Sequence, residues 1–161
     1  MMRYKDFYKH KGIYLLKKVK TKTLNVIEKK IIYNTLTDIA LNEIVKPFYG
    51  GVPDIEVLEF AIGTGTDPEQ SDDTTLQTEV FRTSKTDQNV TGTGEVTTEF
   101  ILSGVDYTGA INEIGIFAGS LAAVWGAGAG KDTGLLVSRR LWSTTLAADE
   151  AIYVQRIENF G

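Results

Sequence analysis

The sequence has no cysteine, one histidine and three prolines among its 161 residues. Without cysteine there are no disulfides, thiolate zinc sites, iron–sulfur clusters or cysteine nucleophiles. A single histidine, His10, excludes histidine-rich metal sites and is a poor basis for a Ser-His-Asp triad. We therefore predict that the chain is not an enzyme and has no catalytic residues, no cofactor and no metal ligands.

Long apolar runs are also missing. No stretch approaches the ~18 apolar residues that a transmembrane helix needs. The first residues contain neither a continuous apolar segment nor the small-residue cleavage site of a secretory signal. We expect synthesis in the cytoplasm and no contact with a membrane.

Charge is distributed unevenly along the chain, whose formal net charge is −4. The first 30 residues contain ten Lys or Arg and two acidic residues, whereas the remainder has seven basic and 19 acidic residues. A basic end can neutralise nucleic-acid phosphates, contact the acidic body of a neighbouring copy or form the solvated face of a hairpin. We expect the solvated face rather than nucleic-acid binding, and hypothesise that Lys17, Lys18 and Lys20 contribute to an interface.

The residues that are abundant favour strands. Valine, isoleucine and threonine account for 45 residues, and there are 16 aromatics. Apolar and polar residues alternate, or apolar residues run together, in six segments that we predict as strands: 57–62, 78–83, 96–102, 111–118, 135–142 and 152–157. Residues 1–11 are predicted as an N-terminal arm, and 12–30 as a hairpin that turns at 21–23.

One segment has helical periodicity. Leu36, Ile39 and Ile44 follow helical spacing, and Asn34 or Thr35 is the expected N-cap. We predict a short helix at about 34–46 that covers one edge or end of a sheet. Residues 12–161 are thus expected to form a single antiparallel β-sandwich of seven or eight strands with one helix.

Two glycine-rich stretches differ from nucleotide-binding loops. Residues 126–133 lack the first glycine of a P-loop, where Trp125 stands, and Asp132 follows Lys131 where a hydroxyl is required. We predict a flexible Gly/Ala-rich loop at 119–134, with Trp125 at an interface. In the segment Gly63-Thr64-Gly65-Thr66 the glycines are expected to serve a tight turn that needs positive φ.

Glu113 and Arg139 stand out because each lies inside an apolar strand. An unpaired charge is costly there, so we hypothesise that Glu113 is paired with Arg139, Arg140 or Arg82. Such a structural ion pair would fix strand register or hold an interface.

An acidic loop and a set of aromatic residues leave alternatives open. The loop at 67–73 lacks the regularly spaced ligands, central glycine and terminal glutamate of an EF-hand; we expect a solvated loop, with a loose calcium or magnesium site as the alternative.

Five aromatic residues would suit a sugar-binding platform, but we expect them in the core or at subunit contacts: Trp125, Trp142, Tyr107, Phe117 and Phe160.

The order of motifs carries a resemblance. The chain presents a helix start, a strand ending in Gly-Thr-Gly-Thr, an Asp-rich loop and three further strand motifs: 34–37, 60–66, 67–73, 75–82, 109–117 and 134–139. In this order it resembles the tailed-bacteriophage virion proteins that include the N-terminal domain of tail-collar fibre proteins. That family has a short helix, an "hGxG" strand end, an "L..E..R" strand and an "EIGhF" strand.

The resemblance implies a structural protein without catalytic residues. It would be a virion component of the tail or baseplate, or a tail-fibre attachment protein, made in the bacterial cytoplasm. Its partners would be other virion proteins and copies of itself, with a trimer as the expected oligomer. A head or neck decoration protein is the alternative within this class. A carbohydrate-binding module that recognises a host glycan is the alternative from another class.

Overall fold

The computed structural model describes residues 11–118 and 132–160. Eight strands are present in this part of the chain, with one short α-helix followed by a 3-10 turn. The strands are β1 (Lys11–Lys20), β2 (Val26–Asn34), β3 (Val57–Gly63), β4 (Glu79–Gly92), β5 (Glu95–Ser103), β6 (Gly109–Ala118), β7 (Leu135–Leu146) and β8 (Glu150–Asn159). The helix α1 spans Asp38–Val45, and the 3-10 turn spans Lys46–Tyr49.

The expectation of a mainly β fold with seven or eight antiparallel strands and one short helix is confirmed. All strands belong to one sheet in the order β2-β1-β8-β5-β4-β3-β6-β7, and every neighbouring pair is antiparallel. The sheet curls until it is nearly closed, so the two layers expected of a sandwich are opposite walls of one sheet. Register shifts in five of the seven pairings supply local bends that help such curling.

The two edge strands, β2 and β7, face each other across a seam. The Glu28 carboxylate accepts hydrogen bonds from Trp142 Nε1 at 3.2 Å and Thr144 Oγ1 at 2.9 Å. Lys18, on β1, reaches the same place and donates to Thr144 Oγ1 at 2.9 Å. Side chains therefore bridge the edges where the sheet lacks a continuous backbone ladder.

The main core fills the inside of this curled sheet. Alternate residues of the strands point inward and are buried, as period-two patterning requires. Phe60 and Phe100 meet at a centroid distance of 5.8 Å inside it. Helix α1 closes part of one side by burying Ala40, so its role is packing, as its apolar stripe predicts.

Two boundaries differ from the sequence prediction. The helix N-cap is Thr37, whose Oγ1 accepts from Ala40 N at 3.3 Å, and neither Asn34 nor Thr35 serves. Asn34 is still in β2, opposite Gly12, so its backbone is committed to the sheet. The short strand expected at 78–83 is β4, which runs on to Gly92. Its polar second half is held by pairing with β5 rather than by burial.

Some predicted features fall outside the described residues. These are residues 1–10 of the arm expected at 1–11, most of the Gly/Ala-rich loop at 119–134, and Trp125; Lys11 is the first residue of β1. The hairpin expected at 12–30 is formed by β1 and β2, and its second strand continues to Asn34.

Candidate functional site

The structure brings Glu113 and Arg139 together. Both side chains are buried, and Arg139 Nε donates to Glu113 Oε2 at 2.6 Å. The Glu113 carboxylate also accepts backbone N–H groups from Gly65 at 3.0 Å, Gln77 at 3.0 Å and Thr78 at 2.7 Å. Four donors thus satisfy one buried carboxylate, and three of them come from the two ends of the 64–78 loop.

Arg139 organises the middle of the same loop. Its guanidinium donates to Asp73 Oδ2 at 3.0 Å and to the Asp67 carbonyl at 2.9 Å. Burial lowers the pKa of Arg139, but hydrogen bonds to Glu113 and Asp73 outweigh it, so the pKa is raised. The pair fixes the shape of the 64–78 loop and keeps it against the sheet.

The position of Glu113 also explains why residues 63 and 65 are glycines. Both were expected to serve a turn that needs positive φ. That prediction was wrong: the positive-φ glycines of the described chain are elsewhere, at 50, 94, 109 and 134. A Cβ on Gly63 would lie 2.4 Å from Glu113 Oε1, and one on Gly65 would lie 2.5 Å from the same atom. Glycine is needed because the backbone approaches the buried carboxylate closely.

Arg82 forms a second buried ion cluster, which the sequence analysis missed. It had been considered as a partner for Glu113, but it bonds Glu79 through two nitrogens at 2.6 Å and Glu59 at 2.7 Å. Its guanidinium lies 4.3 Å from the ring centroid of Phe117. The available signal was the presence of two charged residues, Glu79 and Arg82, within a segment predicted as a strand.

A third polar cluster lies inside the curled, nearly closed sheet, which we call the barrel. The buried Arg156 donates to Tyr14 Oη at 2.9 Å and to Ser138 Oγ at 2.6 Å, and it pairs with Glu158. These residues come from β1, β7 and β8, so the cluster joins both walls of the barrel. Sequence reasoning missed it, although Arg156 and Glu158 continue the inward register of Ile152 and Val154.

The acidic loop at 67–73 is structured by its own contacts. Asp73 accepts from Arg139 and from Gln70 N, and Glu69 accepts from Leu141 N at 2.8 Å. Partial burial opposes the change, but this N–H and the nearby arginines lower the pKa of Glu69. Within 11–118 and 132–160 no group of three or more His, Asp or Glu is arranged to hold a metal ion.

The three lysines expected at an interface have different environments. Lys18 is buried and makes an ion pair with Glu28 at 3.3 Å, so it serves the seam of its own chain. Lys20 contacts Asp149 at 2.9 Å. Lys17 is exposed on the outside of β1. Of the three, Lys17 is the most exposed.

Phe117, Trp142 and Tyr107, three of the aromatic residues considered as a sugar platform, do not form one exposed face. Phe117 and Trp142 are buried, and Tyr107 packs against Phe81 at 6.4 Å. The expectation that such aromatics belong to the core holds for Phe117 and Trp142. Trp125 lies outside the described residues.

The outer side of the barrel has two unlike halves. Over β3, β6 and β7 the 64–78 loop covers the sheet, and Leu76 packs into a second small core with Ala61, Phe117 and Leu136. The guanidinium of Arg82, on β4, lies over the Phe117 ring and covers part of the same half. The outward side chains of Ala61, Phe117 and Leu136 are therefore sealed by the chain itself.

The other half, over β2, β1, β8 and β5, leaves apolar side chains in water. Leu15 lies opposite Ile31, and Tyr153 lies opposite Ile101. Ile31 is 59% exposed, whereas Ile101 and Tyr153 are each 40% exposed. These four residues, which we call the apolar outer face, line an open depression of about 500 Å³ together with Lys17 and Lys29.

No protein family, curated protein or solved structure that was compared with the chain matches it. No helix in the described ranges is long and apolar enough to cross a bilayer.

Proposed function

We propose that this chain is a structural component of a bacteriophage virion, a tail, baseplate or tail-fibre attachment protein that acts by protein–protein assembly. The observation that carries the proposal is the apolar outer face of Leu15, Ile31, Ile101 and Tyr153. Contiguous exposed apolar surface is typical of interaction sites, because it is unfavourable in water. The assignment to a virion rests on the motif order, from the helix start to Gly134-Leu135-Leu136.

The occupant that we propose for this face is a second copy of the chain, in a trimer, with other virion proteins as further partners. The face has a basic rim, formed by Lys17 and Lys29, which lie opposite each other on the same side of β1 and β2 as Leu15 and Ile31. Residues 31–161 have seven basic and 19 acidic residues, so a neighbour offers complementary charge. Apolar contact would supply affinity, and the opposite charges would orient the copies.

Two alternatives are kept because the same face favours them. A head or neck decoration protein would use an apolar face in the same way, at another place in the particle. Tyr153 is 40% exposed and lies opposite Lys17 in the β1–β8 ladder, and such a ring beside a polar group would also suit a glycan ligand. The tail or baseplate protein, the decoration protein and the glycan-binding module differ in where the chain is found and in what it binds.

Purified particles of the phage that encodes the chain provide the test. We expect mass spectrometry to detect the chain in the particles and cryo-electron microscopy to locate it in the tail or baseplate, with the apolar outer face against a neighbour. Density on the capsid or neck would favour decoration. Absence from the particles, together with selective binding to a glycan array by a monomer, would contradict an assembly role.

A further inference from the structure

Helix α1 is apolar on two sides. Ala40 and Ile44 pack on the main core, whereas Leu41, Val45 and Phe48, at intervals of four and three residues, share another side. Leu41 and Val45 are each 45% exposed, and Phe48, in the 3-10 turn that continues the helix, is 75% exposed. A surface helix normally has polar residues on this side. We call these three exposed residues the helix stripe.

The helix stripe and the apolar outer face are separate surfaces. Tyr49 and Val52, which are 70% and 85% exposed, extend the apolar surface beyond the stripe. Among the described residues, those that line the depression of the outer face include none from α1 or the 3-10 turn. Thr37 Oγ1 donates to the Leu136 carbonyl and fixes the start of the helix against β7. The stripe therefore cannot fill the outer face of its own copy.

The side of the molecule that bears the stripe is negatively charged. Residues 38–56 contain four carboxylates and one ammonium group. Two of the carboxylates are already paired, Glu43 with Lys46 and Glu56 with Lys85. When both lysines are counted against the four carboxylates, a net charge of −2 remains.

The apolar outer face is positively charged at its rim. Lys17 lies directly opposite Lys29 on the neighbouring strand, and both side chains are exposed. Neither lysine makes an ion pair with another residue in the described part of the chain. Like charges at opposite positions of adjacent strands are destabilising. A negatively charged surface placed over them would offset that repulsion and orient the contact.

The dimensions of the two surfaces also agree. From residue 41 to residue 48 the stripe is ~10 Å long, at ~1.5 Å per residue. The outer face extends over β2, β1, β8 and β5, which is three inter-strand spacings or ~14 Å. An apolar helix face with residues at positions i, i+4 and i+7 commonly binds in an apolar groove of this kind.

We propose that the helix stripe of one copy binds the apolar outer face of the next copy. This inference rests on the self-assembly proposed above and names the surface that fills the outer face. Because the two surfaces are unlike, the contact is head-to-tail. Such contacts form a closed ring when the rotation between copies permits it, and a ring of three copies is a trimer in which every stripe and every outer face is covered.

Two complementary variants of the full chain test this by sedimentation equilibrium. Ile31→Lys damages the outer face and leaves the stripe intact, whereas Phe48→Lys does the converse. We expect each variant alone to shift the dissociation constant by at least about a hundredfold, and Leu41→Lys to behave as Phe48→Lys does. An equimolar mixture of Ile31→Lys and Phe48→Lys should form pairs at concentrations where neither associates alone, because one intact contact is possible between them.

The outcomes separate this inference from the proposed self-assembly. Val105→Lys, at the turn after β5, is the matched control and should assemble as wild type does, and circular dichroism verifies the fold of every variant. Stripe variants that assemble as wild type does, while Ile31→Lys does not, would overturn the head-to-tail contact and leave the outer face in use. A mixture that stays monomeric would overturn it as well. A wild-type chain that is monomeric at every concentration would remove the self-assembly, and the inference with it.

Discussion

At the scale of single residues, Glu113 shows how one buried charge can define a whole loop. Its carboxylate meets Arg139 and three backbone N–H groups, and it forces glycine at 63 and 65. A charge in an apolar strand is stable only when it is paired and hydrogen-bonded. The loop it holds covers the β3–β6–β7 half of the barrel.

Replacing Glu113 by glutamine should destabilise the fold strongly. The amide nitrogen would replace one carboxylate oxygen, so a donor would face either Arg139 Nε or a loop N–H, and the buried guanidinium would lose its closest counter-charge. We expect a loss of about 2–4 kcal/mol in the free energy of unfolding, measured by urea denaturation. The matched change Glu99→Gln, on the exposed outside of β5, should stay within about 0.5 kcal/mol. Equal effects of the two changes would refute this role for Glu113.

Leu24 offers a residue-scale prediction of the opposite sign. It adopts a φ of 57° in the β1–β2 turn and is 67% exposed. A left-handed conformation costs an L-residue about 1–2 kcal/mol, which glycine avoids. Leu24→Gly should therefore raise the free energy of unfolding by about 0.5–1 kcal/mol. Leu24→Ala keeps a Cβ and should gain nothing; if both variants have the same stability, the turn carries no such strain.

The sequence predicts the partner of Glu113 but not the partners of Arg156, and the difference has a physical reason. Glu113 and Arg139 are conspicuous because each interrupts an apolar run, so a pairing could be inferred. Their geometry could not, since the loop between Gly63 and Glu79 has no periodic pattern. Arg156 lies in the inward register of β8, but its partners Tyr14 and Ser138 come from β1 and β7, and Ser138 meets it only because the sheet curls.

At the scale of elements, the seam between β2 and β7 decides how far the sheet closes. Partial burial alone would raise the pKa of Glu28, but hydrogen bonds from Thr144 and Trp142 and the Lys18 ammonium outweigh it and lower the pKa. The folded protein therefore favours ionised Glu28. This contribution to stability is complete above the ordinary glutamate pKa and is lost as pH falls through the folded-state pKa.

A pH series on Glu28→Gln tests the seam. At pH 7 we expect the variant to be less stable by about 1 kcal/mol or less, since the carboxylate is partly solvated. The difference from wild type should shrink as pH falls below about 4.3, because wild-type Glu28 is then protonated too. Thermal unfolding between pH 7 and pH 3 measures it, with Asp106→Asn at an exposed turn as control. A difference that stays constant across the series would contradict a role for the ionised seam.

Sequence patterning located the strands but not how they join. Alternation or a continuous apolar run found all six strands outside the hairpin, because each has at least one buried face. It stopped β4 at residue 83, since the polar stretch beyond has no buried face and depends on pairing with β5. It could not distinguish two stacked sheets from one curled sheet, because both bury alternate residues in the same way.

At the scale of the whole molecule, the two halves of the barrel surface set the function we propose. One half is covered by the 64–78 loop through Leu76, and the other leaves Leu15, Ile31, Ile101 and Tyr153 in water. The same twisted sheet supports both, so the difference comes from a single loop insertion after β3. An uncovered half with a basic rim is suited to contact with another copy.

The molar mass of the full chain in solution, measured by sedimentation equilibrium over a range of concentrations, tests the account most directly. We expect wild type to approach a trimer, and Ile31→Lys, a charge at the β2 end of the apolar outer face, to shift the dissociation constant by at least about a hundredfold. Val105→Lys, which changes an equally apolar side chain that is 85% exposed at a distant turn, should assemble as wild type does. A wild-type chain that remains monomeric at every concentration, or an Ile31→Lys variant that assembles unchanged, would contradict the claim that this face joins copies of the chain.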